Sequence, residues 1–383
     1  MSKWEMVRLG DVGKVLTGNT PKTSDENNYD SRDVCFYKPG DFDENKVKIL
    51  ENADSYISNY AKEKARLAPE DSVLVTCIGI IGKVGVTTAE VSFNQQINAI
   101  IPDNKICDSK YLAYAILKIN KHLNDMANSA VVPIINKSQF ENIQIPLPPL
   151  HVQQKIADIL DRANVLIEKR KTQIEKLDLL VKSQFIEMFG DPVTNPKGWE
   201  VVAFSDISKV RQGLQIPISE RHTTEGYNRY KYITVQYLNG SKMEEYIENP
   251  KQNVICQEDD VLMTRTGNTG LVITGANGVF HNNFFLIDFD RSLISKNFLV
   301  YYLNTQRIQW ELLRRAGSST IPDLNHSEFY KIGVYLPPVA LQVEFTNFVG
   351  SVEAQKSELK KSLELLGLNY KSLMQKCFEG EVV

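Results

Sequence analysis

The stretch Gly79-Ile-Ile-Gly82-Lys83-Val-Gly85 has the spacing of a phosphate cradle, because close glycines let backbone N–H groups converge on an anion. A P-loop also needs a Ser or Thr directly after the lysine. Val84 holds that place, so the glycines read instead as tight turns that bring backbone N–H groups and Lys83 near a surface. Asp103, Asp108 and Lys110 resemble the acids and lysine of a metal-dependent nuclease, but Asp290 and Lys296, further along, do not repeat the arrangement. The histidines at 122, 151, 222, 281 and 326 include no pair at metal-ligand spacing. The cysteines at 35, 77, 107, 256 and 377 form no CxxC pair, which points away from zinc and from a disulfide framework and toward the cytoplasm. No Gly-x-Ser-x-Gly elbow is present. No coherent catalytic centre emerges.

What remains is polar and suited to recognition. Asn94, Gln95 and Gln96 follow the first glycine-rich stretch, and Asn282 and Asn283 follow a second at Gly267–Gly270. Side-chain amides can bridge an adenine edge, and Arg or Lys can meet guanine or phosphate. Candidate contacts are Lys14, Lys22, Lys38 and Lys83 with the first amide group. Arg211, Arg229, Lys231, Arg265 and Asn268 accompany the second, and a following helix adds Arg307, Arg314 and Arg315. Asn and Gln also close ordinary loops, and most surface cations only meet solvent.

These groups lie in two copies of one module. Trp4-Glu5-x-Val7-x-x-x-Asp11 recurs as Trp199-Glu200-x-Val202-x-x-x-Asp206, and Gly18 as Gly213. The run from Asp71 to Gly79 and Gly82 recurs from Asp259 to Gly267 and Gly270. Ser129, Pro133, Asn136, Phe140 and Pro148-Pro149 return as Ser318, Pro322, Asn325, Phe329 and Pro337-Pro338. An ordered series on one register indicates duplication. Each copy opens with a globular head, 1–148 and 199–337, mixing short alternating strands with helical stretches at 111–123 and 296–315.

A proline pair ends each head, and a long helix follows, at 149–190 and 338–379. The first carries an apolar seam at Ile156, Leu160, Ala163, Ile167, Ile174, Leu177 and Val181, interrupted by Arg170. The second carries Phe345, Val349, Val352, Leu359, Leu363, Leu366, Tyr370 and Leu373, interrupted by Lys356. Alternating steps of four and three make a heptad stripe that needs a partner along its length, and the other copy's helix is at hand. The expected fold is therefore two mixed α/β (α+β) heads in tandem pseudo-repeat, separated by two long antiparallel helices. Residues 191–198, with two prolines and with Gly190 just before them and Gly198 at their end, form the linker between the copies.

With 383 residues, 42% hydrophobic, the composition is that of a soluble protein of two or three domains, with no signal peptide or membrane span. The formal charge of −3 offers no global attraction to nucleic acid, so any such binding would rest on local patches or on a larger assembly.

Taken in order, Trp4-Glu5-x-Val7-Arg8-Leu9-Gly10-Asp11, Gly18, the Asp71…Gly85 stretch, Asn94-Gln95 and Ile145-Pro-Leu-Pro-Pro149…Gln153…Ile156 resemble type I restriction-modification specificity subunits over essentially the whole chain. The second copy departs by lacking the glutamine of Asn-Gln and by a shorter helix entry, Pro337-Pro-Val-Ala-Leu-Gln342. The resemblance implies two target-recognition domains, each reading one half of a split site in double-stranded DNA. It implies helices that set the gap and dock methyltransferase subunits, usually two, through which restriction subunits join. S-adenosylmethionine, ATP and magnesium would then belong to those partners and none to this chain. A duplicated scaffold acting on proteins, or less readily a metal-dependent nuclease, are the alternative readings.

Overall fold

A computed structural model of the chain describes residues 4–127, 132–238, 244–317 and 322–382, so Ser129 and Ser318 lie outside the described residues. The chain divides into two compact units, Met1–Thr172 with Lys360–Val383, and Gln173–Leu359. Each contains a mixed α/β head and one half of each long helix.

In the first unit, Met6–Arg8 pairs antiparallel with Gln144–Pro146 and so closes the head on itself. The main sheet runs Gly13–Thr17, Ile97–Pro102, Val73–Ile78, Ile80–Thr87 and Val47–Leu50 in spatial order. Val73, Val75 and Cys77 point one way into a core shared with helix Ser109–Lys118, while Leu74 joins a second cluster on the other face. Burial on both faces explains why this strand is a continuous apolar run. A second sheet is built from Ser55–Ile57, Val34–Tyr37, Val91–Phe93 and Leu67–Ala68.

The second unit repeats the plan. Glu200–Ala203 pairs with Gly333–Leu336, and the main sheet runs Ser208–Gln212, Phe284–Phe289, Val261–Thr264 and Val272–Ile273. Its second sheet orders Tyr246–Glu248, Arg229–Ile233, Gly278–Phe280 and Ile255–Cys256. The fifth main-sheet strand of the first head, Val47–Leu50, has no counterpart among the described residues.

The long helices span Leu150–Phe189 and Val339–Glu379, each about 60 Å at the α-helical rise. Both start directly after the proline pairs. In the first unit Val152, Ile156 and Leu160 share a core with Met374, Cys377 and Phe378. In the second unit Val181, Phe185 and Phe189 share one with Phe345, Val349 and Val352. Start meets end in both units, so the helices are antiparallel. The remaining seam positions, Ala163, Ile167, Ile174, Leu177, Leu359, Leu363, Leu366, Tyr370 and Leu373, are half-buried. Lys356, which interrupts the stripe, is 9% exposed and meets Asp178 of the facing helix at 2.5 Å and Glu353 at 2.9 Å. Two wholly buried glutamines tie helix starts to heads. Gln153 donates to the carbonyls of Ile106 and Pro148, and Gln342 to those of Leu293 and Pro337.

Candidate nucleic-acid interface

Four loops meet at the same corner of each head. Gly18 and Gly213 end the first main-sheet strand, where a Cβ would sit 2.2 Å from the carbonyl oxygen of Asn94 in one head and 2.3 Å from that of His281 in the other. Only glycine lets the chain lie so close. The N–H groups of Asn19 and Leu214 then donate to the carbonyls of Phe93 and Phe280, each at 3.0 Å. This contact aligns Phe93-Asn-Gln-Gln-Ile97 with Phe280-His-Asn-Asn-Phe284 residue for residue.

The third loop is the glycine turn, with Gly79 at φ +76° and Gly267 at +81°. The N–H groups of Cys77 and Arg265, just before it, donate to the carbonyls of Gln96 and Asn283, each at 2.7 Å. The fourth is a strap after Pro133 or Pro322. Gly79 and Gly267 donate to those proline carbonyls, while Ile135 and Leu324 donate to the carbonyls of Cys77 and Arg265. The resulting β-bridges, Ile78 with Ile134 and Thr266 with Asp323, are equivalent.

On this shared backbone the side chains diverge. In the first head Gln95 is exposed and accepts from the Thr20 hydroxyl at 2.7 Å, while Ile80 and Ile134 are 48% and 45% exposed. In the second, Asn282 donates to Gln215 at 3.3 Å, and Arg265 donates through Nε and Nη2 to the two oxygens of Asp323 at 3.0 and 2.7 Å. Burial works to raise the Asp323 carboxyl, but hydrogen bonds from Arg265 and Thr266 outweigh it and hold it below the usual carboxylate range. The inner position of each amide loop is structural. Asn94, 7% exposed, accepts the Gln96 N–H at 3.1 Å and donates to its Oε1, and His281 accepts the Asn283 N–H through Nδ1 at 3.0 Å.

The structure brings together Asn94, Gln95, Gln96, Arg265, Asn268, Asn282 and Asn283 at these corners, but not the other candidates. Lys83 is turned inward, its ammonium donating to the Phe42 carbonyl with Glu44 at 3.8 Å. Lys38 donates to Ser55, and Lys14 and Lys22 are exposed. Arg211 donates to the Asn253 carbonyl, while Arg229 and Lys231 pair with Glu248 and Glu244 along the second sheet. Arg314 and Arg315 share Glu311, and Arg307 lines a groove with Lys182, Asp191 and Glu353. Thr20, Gln215, Ile134 and Asp323 were not singled out by sequence. Their signal was present in the repeat, where Cys77 and Ile134 change together to Arg265 and Asp323.

The residues of the nuclease pattern have structural work. Asp108 caps helix Ser109–Lys118 by accepting from Tyr111 N–H at 2.8 Å, and Lys110 pairs with Asp161. Among the described residues no group of three His, Cys, Asp or Glu could hold a metal ion, and no helix is long and apolar enough to cross a membrane.

A family model described as "Type I restriction modification DNA specificity domain" matches residues 1–177 and again 196–365. The chain belongs to the type I restriction-modification specificity family. As a specificity subunit it consists of two mixed α/β domains separated in chain order by long helices, as expected from the repeat. It is 23% identical over 410 residues to the MjaIX specificity subunit of Methanocaldococcus jannaschii, covering 99% of this chain and 93% of that one. The HindI specificity subunit of Haemophilus influenzae is 34% identical over 185 residues, covering 45% of this chain and 39% of its own length. Two solved structures are similar to this chain in fold over nearly its whole length. One, from work on complex assembly and conformational transition of the type I R-M system, has a TM-score of 0.65 at 15% identity and covers 99% of this chain and 98% of that one. The other, the S subunit from M. genitalium, has a TM-score of 0.56 at 15% identity, with 98% and 96% covered.

Proposed function

We propose that the chain reads DNA for a type I restriction-modification enzyme without catalysing a reaction itself. Head 1–148 takes one half of a bipartite target and head 199–337 the other, while helices 149–190 and 338–379 set the gap and dock methyltransferase subunits, usually two. Restriction subunits join through that complex. Methyl transfer from S-adenosylmethionine, and cleavage driven by ATP with magnesium, fall to those partners.

One observation carries this reading. The same four loops close on each other through the same backbone bonds in both heads, yet present Thr20, Gln95 and Ile134 in one and Gln215, Asn282, Arg265 and Asp323 in the other. A fixed frame with diverged polar side chains suits two related but different ligands, as two half-sites of one target are. The net charge of −3 leaves much of the phosphate attraction to partner subunits on the same duplex.

The test is to map methylated sites in cells making the methyltransferase subunits with and without this chain. A split motif that appears only with the chain, and that changes in one half when residues 199–337 are exchanged for another head, is the expected result. Methylation without a split motif would sink the reading. Adding seven residues to each helix, about 10 Å, is expected to widen the gap by about three base pairs and leave both halves unchanged.

A further inference from the structure

We infer that Arg265 reads a guanine in the second half-site, with Asp323 as the positioning residue that aims it, and that the first head lacks this contact. The inference rests on the DNA-reading role proposed above and adds a base identity to one corner of one head.

The geometry of the guanidinium carries it. Nε and one N–H of Nη2 are taken by Asp323, whose Oδ1 also accepts from the Thr266 hydroxyl at 2.7 Å. The far edge, made of Nη1 and the remaining N–H of Nη2, has no partner among the described residues. Two parallel donors on a fixed plane match O6 and N7 of guanine in the major groove. Because the side chain is already held, little rotamer freedom is lost on binding.

The charge and the loop closure at this corner both favour a base contact over a phosphate contact or a purely structural pair. A phosphate-binding arginine works best with its charge uncompensated, whereas the Asp323 carboxylate would repel a phosphate at this corner. The neutral guanine edge meets no such repulsion and still needs the directional donors. Nor is the ion pair required to close the loop. The first head joins the same strap and turn through the same backbone bonds with Cys77 and Ile134 in place of Arg265 and Asp323. There the exposed Ile80 and Ile134 offer an apolar surface of the kind that meets a thymine methyl group.

The experiment uses the full chain assembled with its methyltransferase subunits and reads relative methylation across all single-base variants of the motif. Arg265→Ala is expected to lower methylation of the cognate site about 10- to 100-fold and to erase the preference at one guanine of one half, leaving the other half intact. Asp323→Asn, which keeps the shape of the corner, is expected to weaken discrimination at that same guanine. It should also raise binding to unrelated DNA at low salt, a change that loss of a merely structural pair would not produce. If Arg265→Ala lowers methylation of every sequence equally, Arg265 is a phosphate contact and the inference is overturned. If Arg265→Ala fails to assemble, Asp323→Asn decides, and an unchanged motif overturns it. A wild-type complex with no split motif would remove the parent reading as well, whereas a split motif untouched by both variants removes this inference alone.

Discussion

The backbone N–H of Asp108 donates to Oε1 of Gln153 at 2.8 Å, joining the cap of a head helix to the first turn of the long helix. The same join is made in the second unit between the Ser295 N–H and Oε1 of Gln342 at 2.7 Å. With its two bonds to carbonyls, each glutamine satisfies three backbone groups in a wholly buried place. Gln153→Ala leaves those groups unpaired and is expected to cost about 2–4 kcal/mol. Gln153→Glu should cost more, because a carboxylate would face two carbonyl oxygens. Denaturant titration of the full chain checks both, and equal stability of the Glu variant and wild type would contradict the account.

Gly213→Ala is expected to destabilise the second head severely, since the new Cβ would lie 2.3 Å from the backbone oxygens of His281 and Phe280, which cannot swing aside. Gly350→Ala, in the second long helix with nothing within 4 Å of the new atom, should instead stabilise by up to about 1 kcal/mol. Thermal melting of the two variants should therefore move in opposite directions.

Lys356 keeps its charge in a nearly buried place because Asp178 and Glu353 both reach it. Replacing it with Met restores the apolar stripe, and stability is expected to hold or rise. Removing both acids together (Asp178→Ala with Glu353→Ala) strands the ammonium and should cost about 1–3 kcal/mol. Denaturation midpoints that fall further for Lys356→Met than for the double variant would refute this.

His281 and His326, both in the second head, are held below the ordinary histidine value, chiefly by burial and further by the nearby Arg221 and Arg265 respectively. A lowered folded-state value means the unfolded chain takes up protons first as pH falls below about 6.5. Their contribution to stability is full above that pH and declines beneath it, before the lowered carboxyls such as Asp323 begin to protonate. Melting of the second unit should fall from pH 7.5 to 5.5. The double variant His281→Asn, which copies the first head's residue, with His326→Gln should show a smaller fall. An unchanged slope in that variant would assign the effect elsewhere.

The heptad steps revealed the long helices because that signal is local and repeated, and the proline pairs marked their starts. The sequence also marked Gln153 and Gln342 as recurring, but their task depends on carbonyls more than forty residues away at Ile106 and Leu293, which no local pattern displays. Distance in sequence also hid the site. Arg265 stood out as a cation beside glycines, yet its partner Asp323 comes from a strap whose proximity depends on sheet pairing. Lys83 misled for the converse reason: a lysine in a glycine-rich turn looks available, but the turn aims it at the Phe42 carbonyl.

The second unit occupies one continuous stretch, 173–359, while the first is finished only by residues from 360 onward. Tyr370, Leu373, Met374, Cys377 and Phe378 complete the core that Val152, Ile156 and Leu160 begin. During synthesis the second unit can therefore be completed before the first, although the first head emerges earlier from the ribosome. A premature stop near position 360 would leave the distal head whole and the proximal one with an open flank, so damage late in the message falls on the part translated first.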